Sequence, residues 1–92
     1  IGWRAVIERT ADMIERTGAA PPLTLEQLAE VRQPVRVGVG DRDHLTSVDA
    51  CMKLSRALPN GEMIVFPRAG HPIERTPLDM LGYSIRDFVK AV

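Results

Sequence analysis

Two loops of the sequence carry side chains that can hold or transfer a proton. The first contains Asp41 and Asp43, and the second contains His71. A carboxylate that accepts a hydrogen bond from one ring nitrogen of a histidine fixes the tautomer, and it stabilises the imidazolium that forms when the other nitrogen takes a proton. An aspartate paired with His71 therefore makes the histidine a general base. The alternative is structural: Asp43 caps the helix that follows and His71 fills a turn, and the spacing alone leaves both interpretations open.

Each loop follows a segment that predicts a β-strand. The two strands are residues 35–39 and residues 62–66, and a helix that Thr46 or Ser47 caps lies between them. A strand–helix–strand unit with a short crossover predicts a right-handed parallel pair, so both loops lie at the same edge of the sheet. Because neighbouring strands are about 4.8 Å apart, Asp43 and His71 can then meet through a hydrogen bond.

The first third of the chain predicts two helices that cover some other part of a protein. Apolar residues within 3–14 recur at helical spacing, and Gly18 follows where a left-handed C-terminal cap is expected. Pro21-Pro22 predicts a rigid loop. Thr24 and Gln27 then form a capping-box pair for a short helix that ends near residue 31. These helices are too few and too short to make a bundle alone.

A last helix follows the second loop and completes the predicted α/β class. Thr76 is its predicted cap, and its buried apolar stripe is Met80, Leu81, Ile85, Phe88 and Val89. A sheet of two parallel strands is a poor isolated structure because its outer edges are unpaired. We therefore expect the end of a larger sheet. The first residue is not methionine, which fits either a trimmed tag or a chain whose N-terminal portion is missing. The free edge of Val35–Val39 is then the expected site of self-association.

Composition excludes several classes of function. The 92 residues carry 12 basic and 12 acidic side chains, which cancel, so the basic surface that nucleic acid or an anionic membrane requires is absent. The single cysteine, Cys51, excludes an internal disulfide and fits a cytoplasmic protein. Gly38-x-Gly40 is too short for a dinucleotide fingerprint. We expect no cofactor and no metal, since the group Asp41, Asp43 and His44 lacks further ligands.

Three segments together resemble the α/β-hydrolase family. Residues 34–43 (Pro-Val-Arg-Val-Gly-Val-Gly-Asp-Arg-Asp) are similar to its penultimate strand and acid-bearing turn, and residues 57–63 to the turn before its last strand. Residues 66–71 (Phe-Pro-Arg-Ala-Gly-His) resemble its last strand and histidine loop. The resemblance implies a partial α/β-hydrolase fold, with its last two parallel strands in residues 32–92. Residues 1–31 are then the end of a cap region or late connecting helices.

The same resemblance assigns roles to the loop residues. Asp43, the last residue of Gly-x-x-Asp, corresponds to the triad acid, and His71 corresponds to the general base. Asp41 is the competing acid, although it fits better as a turn residue that binds local backbone amides. The sequence departs from the family after the acid, where proline is frequent and His44 stands instead. His44 is interpreted as an exposed loop residue.

The nucleophile that the family requires is absent from this sequence. The family places it before the acid, in Gly-x-Ser-x-Gly on a strand-to-helix turn, whereas no serine here precedes Ser47. Ser47 is interpreted as a helix cap, and Cys51 as a core residue. The resemblance therefore implies a C-terminal fragment of an esterase- or lipase-like enzyme, inactive alone, that acts on a small-molecule substrate when complete. The alternatives are a non-catalytic binding or scaffold relative and a small self-associating α/β domain.

Overall fold

Two parallel strands with flanking helices form the framework of the protein. The computed structural model describes residues 2–19 and 23–92, so the predicted Pro21-Pro22 loop lies outside the described residues. The elements, in chain order, are α1 (Trp3–Ala19), α2 (Leu25–Leu28), β1 (Val35–Gly40), α3 (Val48–Ala57), β2 (Gly61–Phe66), a 3-10 turn (Ile73–Arg75) and α4 (Leu78–Ala91). This order confirms the predicted strand–helix–strand–helix unit.

The two strands pair in parallel, as the short crossover predicts. Their register aligns Val35 with Gly61 at one end and Gly40 with Phe66 at the other. Both strands therefore end level with each other, and the loops that follow them start side by side. Just before the strands, Val35 N donates to Asn60 O (3.2 Å) and Asn60 Nδ2 donates to Arg32 O (2.6 Å), which fixes the opposite end of the pair.

Helix α3 packs across both strands, and it contributes Cys51 to the small core, with Leu58 directly after its last residue. Its N-cap is Ser47, whose Oγ accepts a hydrogen bond from Ala50 N (3.0 Å), so the second of the two predicted caps is the correct one. The buried apolar side chains come from α3, the two strands and the histidine loop: Val39, Cys51, Leu58, Phe66 and Ala69. The core therefore runs along the strand pair, from Leu58 beside Gly61 at the start of β2 to Ala69 in the histidine loop.

Helix α4 is attached to the sheet by Arg36, an arginine that is largely but not fully buried. Arg36 donates to Ser84 O (2.7 Å) and forms ion pairs with Asp87 (2.7 Å) and Glu62 (3.3 Å). Its side chain is only 13% exposed, and its guanidinium lies 5.3 Å from the Phe88 ring. The hydrogen bond with Asp87 is the main cause that raises the pKa of Arg36. These polar contacts of Arg36 therefore hold α4 against the sheet, where the sequence predicts contact through an apolar stripe of α4.

Two predictions about α4 are wrong. Thr76 is not its cap, because the 3-10 turn ends at Thr76, whose backbone N–H donates to Ile73 O; the residue before α4 is Pro77. The predicted stripe is also largely uncovered: Met80, Ile85 and Val89 are exposed, while Ser84 is the buried residue of the helix. Periodicity identifies which residues share a face of a helix, but it does not supply the surface that covers that face.

The N-terminal helices show the same pattern. The apolar side chains of α1 are exposed, including Trp3 at 68% and Ile7 at 59%. Gly18 lies inside α1 and has no positive φ, so the predicted left-handed cap is wrong. The capping box of α2 is confirmed: Gln27 N donates to Thr24 Oγ1 (3.1 Å) and Thr24 N donates to Gln27 Oε1 (2.8 Å). Helix α2 ends at Leu28, earlier than predicted.

The accessible surface is large for a chain of this size. It measures 7412 Å², whereas a folded monomer of this mass exposes about 5,300 Å². Exposed apolar side chains of α1 and α4 are part of this surface. No helix among the described residues is both long enough and apolar enough to cross a membrane.

Candidate active site

The loop after β1, which contains Asp41 and Asp43 (the acid loop), is joined by backbone hydrogen bonds to the loop after β2, which contains His71 (the histidine loop). Asp41 N donates to Phe66 O (3.0 Å), and Arg42 N donates to Ala69 O (2.9 Å). In the opposite direction, Ala69 N donates to Asp41 Oδ1 (3.3 Å). These bonds continue the pairing of β1 and β2 beyond the ends of both strands, so the two loops form one unit.

Gly40 allows this close approach. A Cβ atom at this position would lie 2.2 Å from Ala69 O, well inside van der Waals contact. Ala69 itself is fully buried. The glycine at the end of β1 and the alanine before the histidine therefore fix the distance between the loops, and they set the position of His71 two residues later.

Asp43 accepts three hydrogen bonds with its two carboxylate oxygens. Oδ1 accepts from Leu45 N (2.8 Å) and Thr46 N (2.8 Å), and Oδ2 lies 2.8 Å from His71 Nδ1. The side chain is only 6% exposed. The backbone N–H of Thr46 is the main cause that lowers the pKa of Asp43; His71 and Leu45 add to it, and burial opposes it. Asp43 is therefore held as a carboxylate.

The ionised carboxylate determines the tautomer of His71. A carboxylate can only accept hydrogen bonds, so the bond requires a proton on Nδ1 and leaves the lone pair of the neutral ring on Nε2. The side chain of His71 is 52% exposed, which makes it accessible to a reacting group. The hydrogen bond that the spacing allowed is present, with a length of 2.8 Å. The catalytic roles of the two residues stay predictions.

The two interpretations of Asp43 prove compatible. It binds the backbone amides just before α3, as a capping residue does, and it binds His71 as well. Asp41, the competing acid, uses its carboxylate on Ala69 N instead. The amides of Leu45 and Thr46 were missed from sequence, although an aspartate in a turn is known to accept hydrogen bonds from backbone amides two or three residues further along the chain.

The remaining candidates are poorly placed to act as nucleophiles. Ser47 caps α3, while Ser55 and Ser84 are buried within helices. Cys51 is buried on α3, and burial is the main cause that raises the pKa of its thiol, with a further contribution from the charge of Asp43. A raised pKa keeps the thiol protonated and unreactive. His44 is exposed, as the sequence analysis expected of a loop residue, and Glu74 is exposed as well.

A cavity of about 490 Å³ opens beside the pair. Asp43 and His71 line one end of it, and its other walls are mainly apolar side chains of β1, β2 and α4, including Val39, Phe66 and Leu81. This volume is within the range of small-molecule sites. Within residues 2–19 and 23–92, no group of three or more histidine, cysteine or acidic side chains is arranged to hold a metal ion.

Comparison with known proteins supports the fold. No protein-family model and no curated protein matches the sequence. The structure is similar to the crystal structure of a protein named as a non-heme bromoperoxidase, BpoC, from Mycobacterium tuberculosis H37Rv, with a TM-score of 0.66 and 21% identity. That protein has the α/β-hydrolase fold. The match covers 88% of this chain and 36% of BpoC, so the chain spans about a third of that protein. At this identity the likeness is one of fold.

Proposed function

We propose that this chain is the C-terminal part of an α/β-hydrolase that cleaves esters or similarly activated carbonyl compounds. In this proposal Asp43 is the acid and His71 is the general base of a serine-type triad. The observation that carries it is the 2.8 Å hydrogen bond between His71 Nδ1 and Asp43 Oδ2, at the carboxyl ends of adjacent parallel strands. Catalytic groups of open α/β sheets lie at that edge.

The geometry suits the proton transfers of acyl transfer. His71 Nε2 takes the proton of an attacking hydroxyl, and the imidazolium then gives that proton to the leaving alcohol. Asp43 accepts from Nδ1 throughout, and its negative charge stabilises the imidazolium between the two steps. Because two backbone amides hold the other oxygen of Asp43, the carboxylate stays fixed while the ring changes its charge.

The nucleophile comes from a part of the protein that precedes Asp43. In this fold the chain order is nucleophile, acid, histidine, and the sequence contains no Gly-x-Ser-x-Gly. The serines that it does contain are a helix cap or lie within helices, and Cys51 is buried. We therefore expect the 92 residues alone to hydrolyse nothing.

The test uses the protein encoded by the complete reading frame and a chromogenic short-chain ester. Asp43→Asn and His71→Ala are expected to lower kcat/KM by about a thousandfold or more, since each removes a member of one proton-transfer unit. Asp41→Asn tests the competing acid, and Asp49→Asn, an exposed residue of α3, is the matched control. Asp41→Asn and Asp49→Asn should both keep kcat/KM within tenfold of the wild type.

Two results would overturn the proposal. A greater loss of kcat/KM for Asp41→Asn than for Asp43→Asn would show that Asp41, not Asp43, is the acid. A complete reading frame that supplies further residues but no nucleophile would favour the non-catalytic alternative, in which the Asp43–His71 pair is retained as structure.

A second candidate is a small α/β domain that associates with itself. The exposed apolar faces of α1 and α4 and the unpaired edge of β1 favour it. Light scattering of the purified 92-residue chain at micromolar concentration tests this candidate. We expect dimers or larger species whose fraction rises with concentration, and a clean monomer at all concentrations would exclude it.

A further inference from the structure

A second groove, of about 350 Å³, adjoins His71 and is lined by positive charge. Three arginines line it, Arg42 from the acid loop, Arg68 from the histidine loop and Arg75 from the 3-10 turn; His44 lines it as well. We call this site the arginine groove. It shares Gly70 and His71 with the larger apolar cavity, so the candidate general base touches both spaces.

The three arginines have no anionic partner among the described residues. The ion pairs within residues 2–19 and 23–92 belong to Arg36 and His71, and no carboxylate there lies within 4.0 Å of the arginine groove's guanidinium groups. Asp41 and Glu74 are the neighbouring acids, but Asp41 accepts from Ala69 N, and neither forms an ion pair with the groove. Arg36, by contrast, is held by two carboxylates. The guanidinium groups of the arginine groove therefore form no ion pair with the described residues, and the carboxylate of Asp43 is held by His71, which lines the groove.

One of these arginines has a conformation that side chains rarely adopt. Arg68 has a φ of 56°, in the left-handed region that favours glycine and asparagine. Backbone conformations of this kind cluster at binding sites, where the surrounding structure holds them. Here the turn after β2 presents Arg68 to the groove, although glycine would fit that turn with less strain.

We propose that the arginine groove binds an oxyanion, a carboxylate or a phosphoryl group, that belongs to the substrate. Guanidinium groups bind such oxygens through paired, charge-assisted hydrogen bonds. The volume of the groove suits a small group rather than a protein surface. If the groove binds the anion of a substrate, then the ester on which His71 acts has an anionic group as well as an apolar part. This statement about the substrate rests on the proposed function. Anion binding itself does not depend on catalysis.

Binding is tested by NMR on the ¹⁵N-labelled protein, with succinate and inorganic phosphate as probes and succinamide as the uncharged control. Both anions are expected to shift the Nε–Hε signals of Arg42, Arg68 and Arg75 and to leave that of Arg56, an exposed arginine of α3, in place. Tighter binding of succinate identifies a carboxylate site, and tighter binding of phosphate identifies a phosphoryl site. The His71 Nδ1–H signal reports that the site is folded.

Variants then measure the contribution of the groove. Arg68→Gln combined with Arg75→Gln should weaken the tighter anion at least about tenfold, because each lost charged hydrogen bond costs roughly that factor. Arg56→Gln is the matched control and should change the affinity less than twofold. Equal binding by the double variant, equal binding of succinamide, or no shift of the three arginine signals would overturn the inference. An acidic peptide that binds where neither small anion does would likewise overturn it.

Activity separates this inference from the proposed function. In the complete enzyme, the kcat/KM of mono-(4-nitrophenyl) succinate relative to that of 4-nitrophenyl butyrate should fall at least tenfold in the double variant. If neither ester is hydrolysed, the proposed function fails while the NMR result still decides whether the groove binds anions. If both are hydrolysed and the ratio is unchanged, the groove does not select the substrate.

Discussion

The acid and histidine loops make their contacts with each other, whereas the apolar side chains of helix α1 have little covering among the described residues. In the loops, Asp43 has three hydrogen-bond partners, and Ala69 is fully buried. In α1, the apolar residues Trp3 and Ile7 are mostly exposed. The site is therefore fixed by contacts within residues 40–71, whereas the apolar face of α1 is left uncovered by the described residues. The difference indicates that the acid–histidine pair is a local product of the strand–helix–strand unit.

Two glycines offer the sharpest test of this contrast. Gly40→Ala places a methyl group against Ala69 O, where 2.2 Å is available, and we expect it to destabilise the chain by about 3 kcal/mol or more and to break the Asp43–His71 bond. Gly18→Ala enters open space within α1 and should stabilise by up to about 1 kcal/mol. Urea unfolding and the His71 Nδ1–H signal check both. A mild effect of Gly40→Ala would mean that the loops can separate.

Two apolar residues test where the core lies. Leu58→Ala removes a buried side chain and should cost about 3 kcal/mol. Ile7→Ala removes an exposed one and should change the free energy of unfolding by less than about 0.5 kcal/mol. Urea unfolding at low protein concentration measures both variants. A large loss for Ile7→Ala would show that α1 is covered in solution, and the comparison between the two regions would then fail.

The pH dependence of stability tests the charge on Asp43. Its pKa in the folded protein is lowered, with the Thr46 amide as the main cause, from an unfolded value of about 3.9. The stabilisation is therefore fully present above that value and is lost as the pH falls through the folded pKa. The urea midpoint of the wild type should exceed that of Asp43→Asn at pH 6, and the gap should close as the pH falls below the unfolded pKa and through the lowered folded pKa. A gap that does not change with pH would contradict the assignment.

The smallest expected effect concerns strain in the histidine loop. Arg68→Gly relieves a positive φ but adds flexibility to the unfolded chain, so we expect a gain of about 0.5 kcal/mol. Arg56→Gly, within α3, has no strain to relieve and should lose about 1 kcal/mol. Thermal unfolding of the two variants gives the comparison. A loss at both positions would show that the turn at Arg68 is unstrained.

The features predicted correctly from sequence depend on neighbours in the chain or on one crossover. The Thr24–Gln27 capping box and the Ser47 cap are local, and the parallel strand pair follows from a short connection. The Asp43–His71 contact then follows from the position of both residues just after paired strands. Each of these inferences needs only backbone geometry.

The features that were missed are of two kinds, the exact ends of helices and the contacts between distant residues. Gly18 continues α1, and Thr76 ends a 3-10 turn that the sequence did not predict. Arg36 lies in an apolar strand pattern, and only the structure shows that Ser84 and Asp87 come within reach of it. The positive φ of Arg68 was likewise not predicted. The periodicity and the propensities of a sequence carry no information on contacts between residues that are far apart in the chain.

The most direct test of the central claim is active-site labelling of the protein from the complete reading frame. A fluorophosphonate reacts with an activated serine, and mass spectrometry of the digested protein locates it. We predict a single labelled serine that precedes Ile1, with labelling slowed about a thousandfold or more by His71→Ala. Labelling of Ser47, Ser55 or Ser84, or labelling that His71→Ala leaves unchanged, would contradict the account of Asp43 and His71 as two members of a triad.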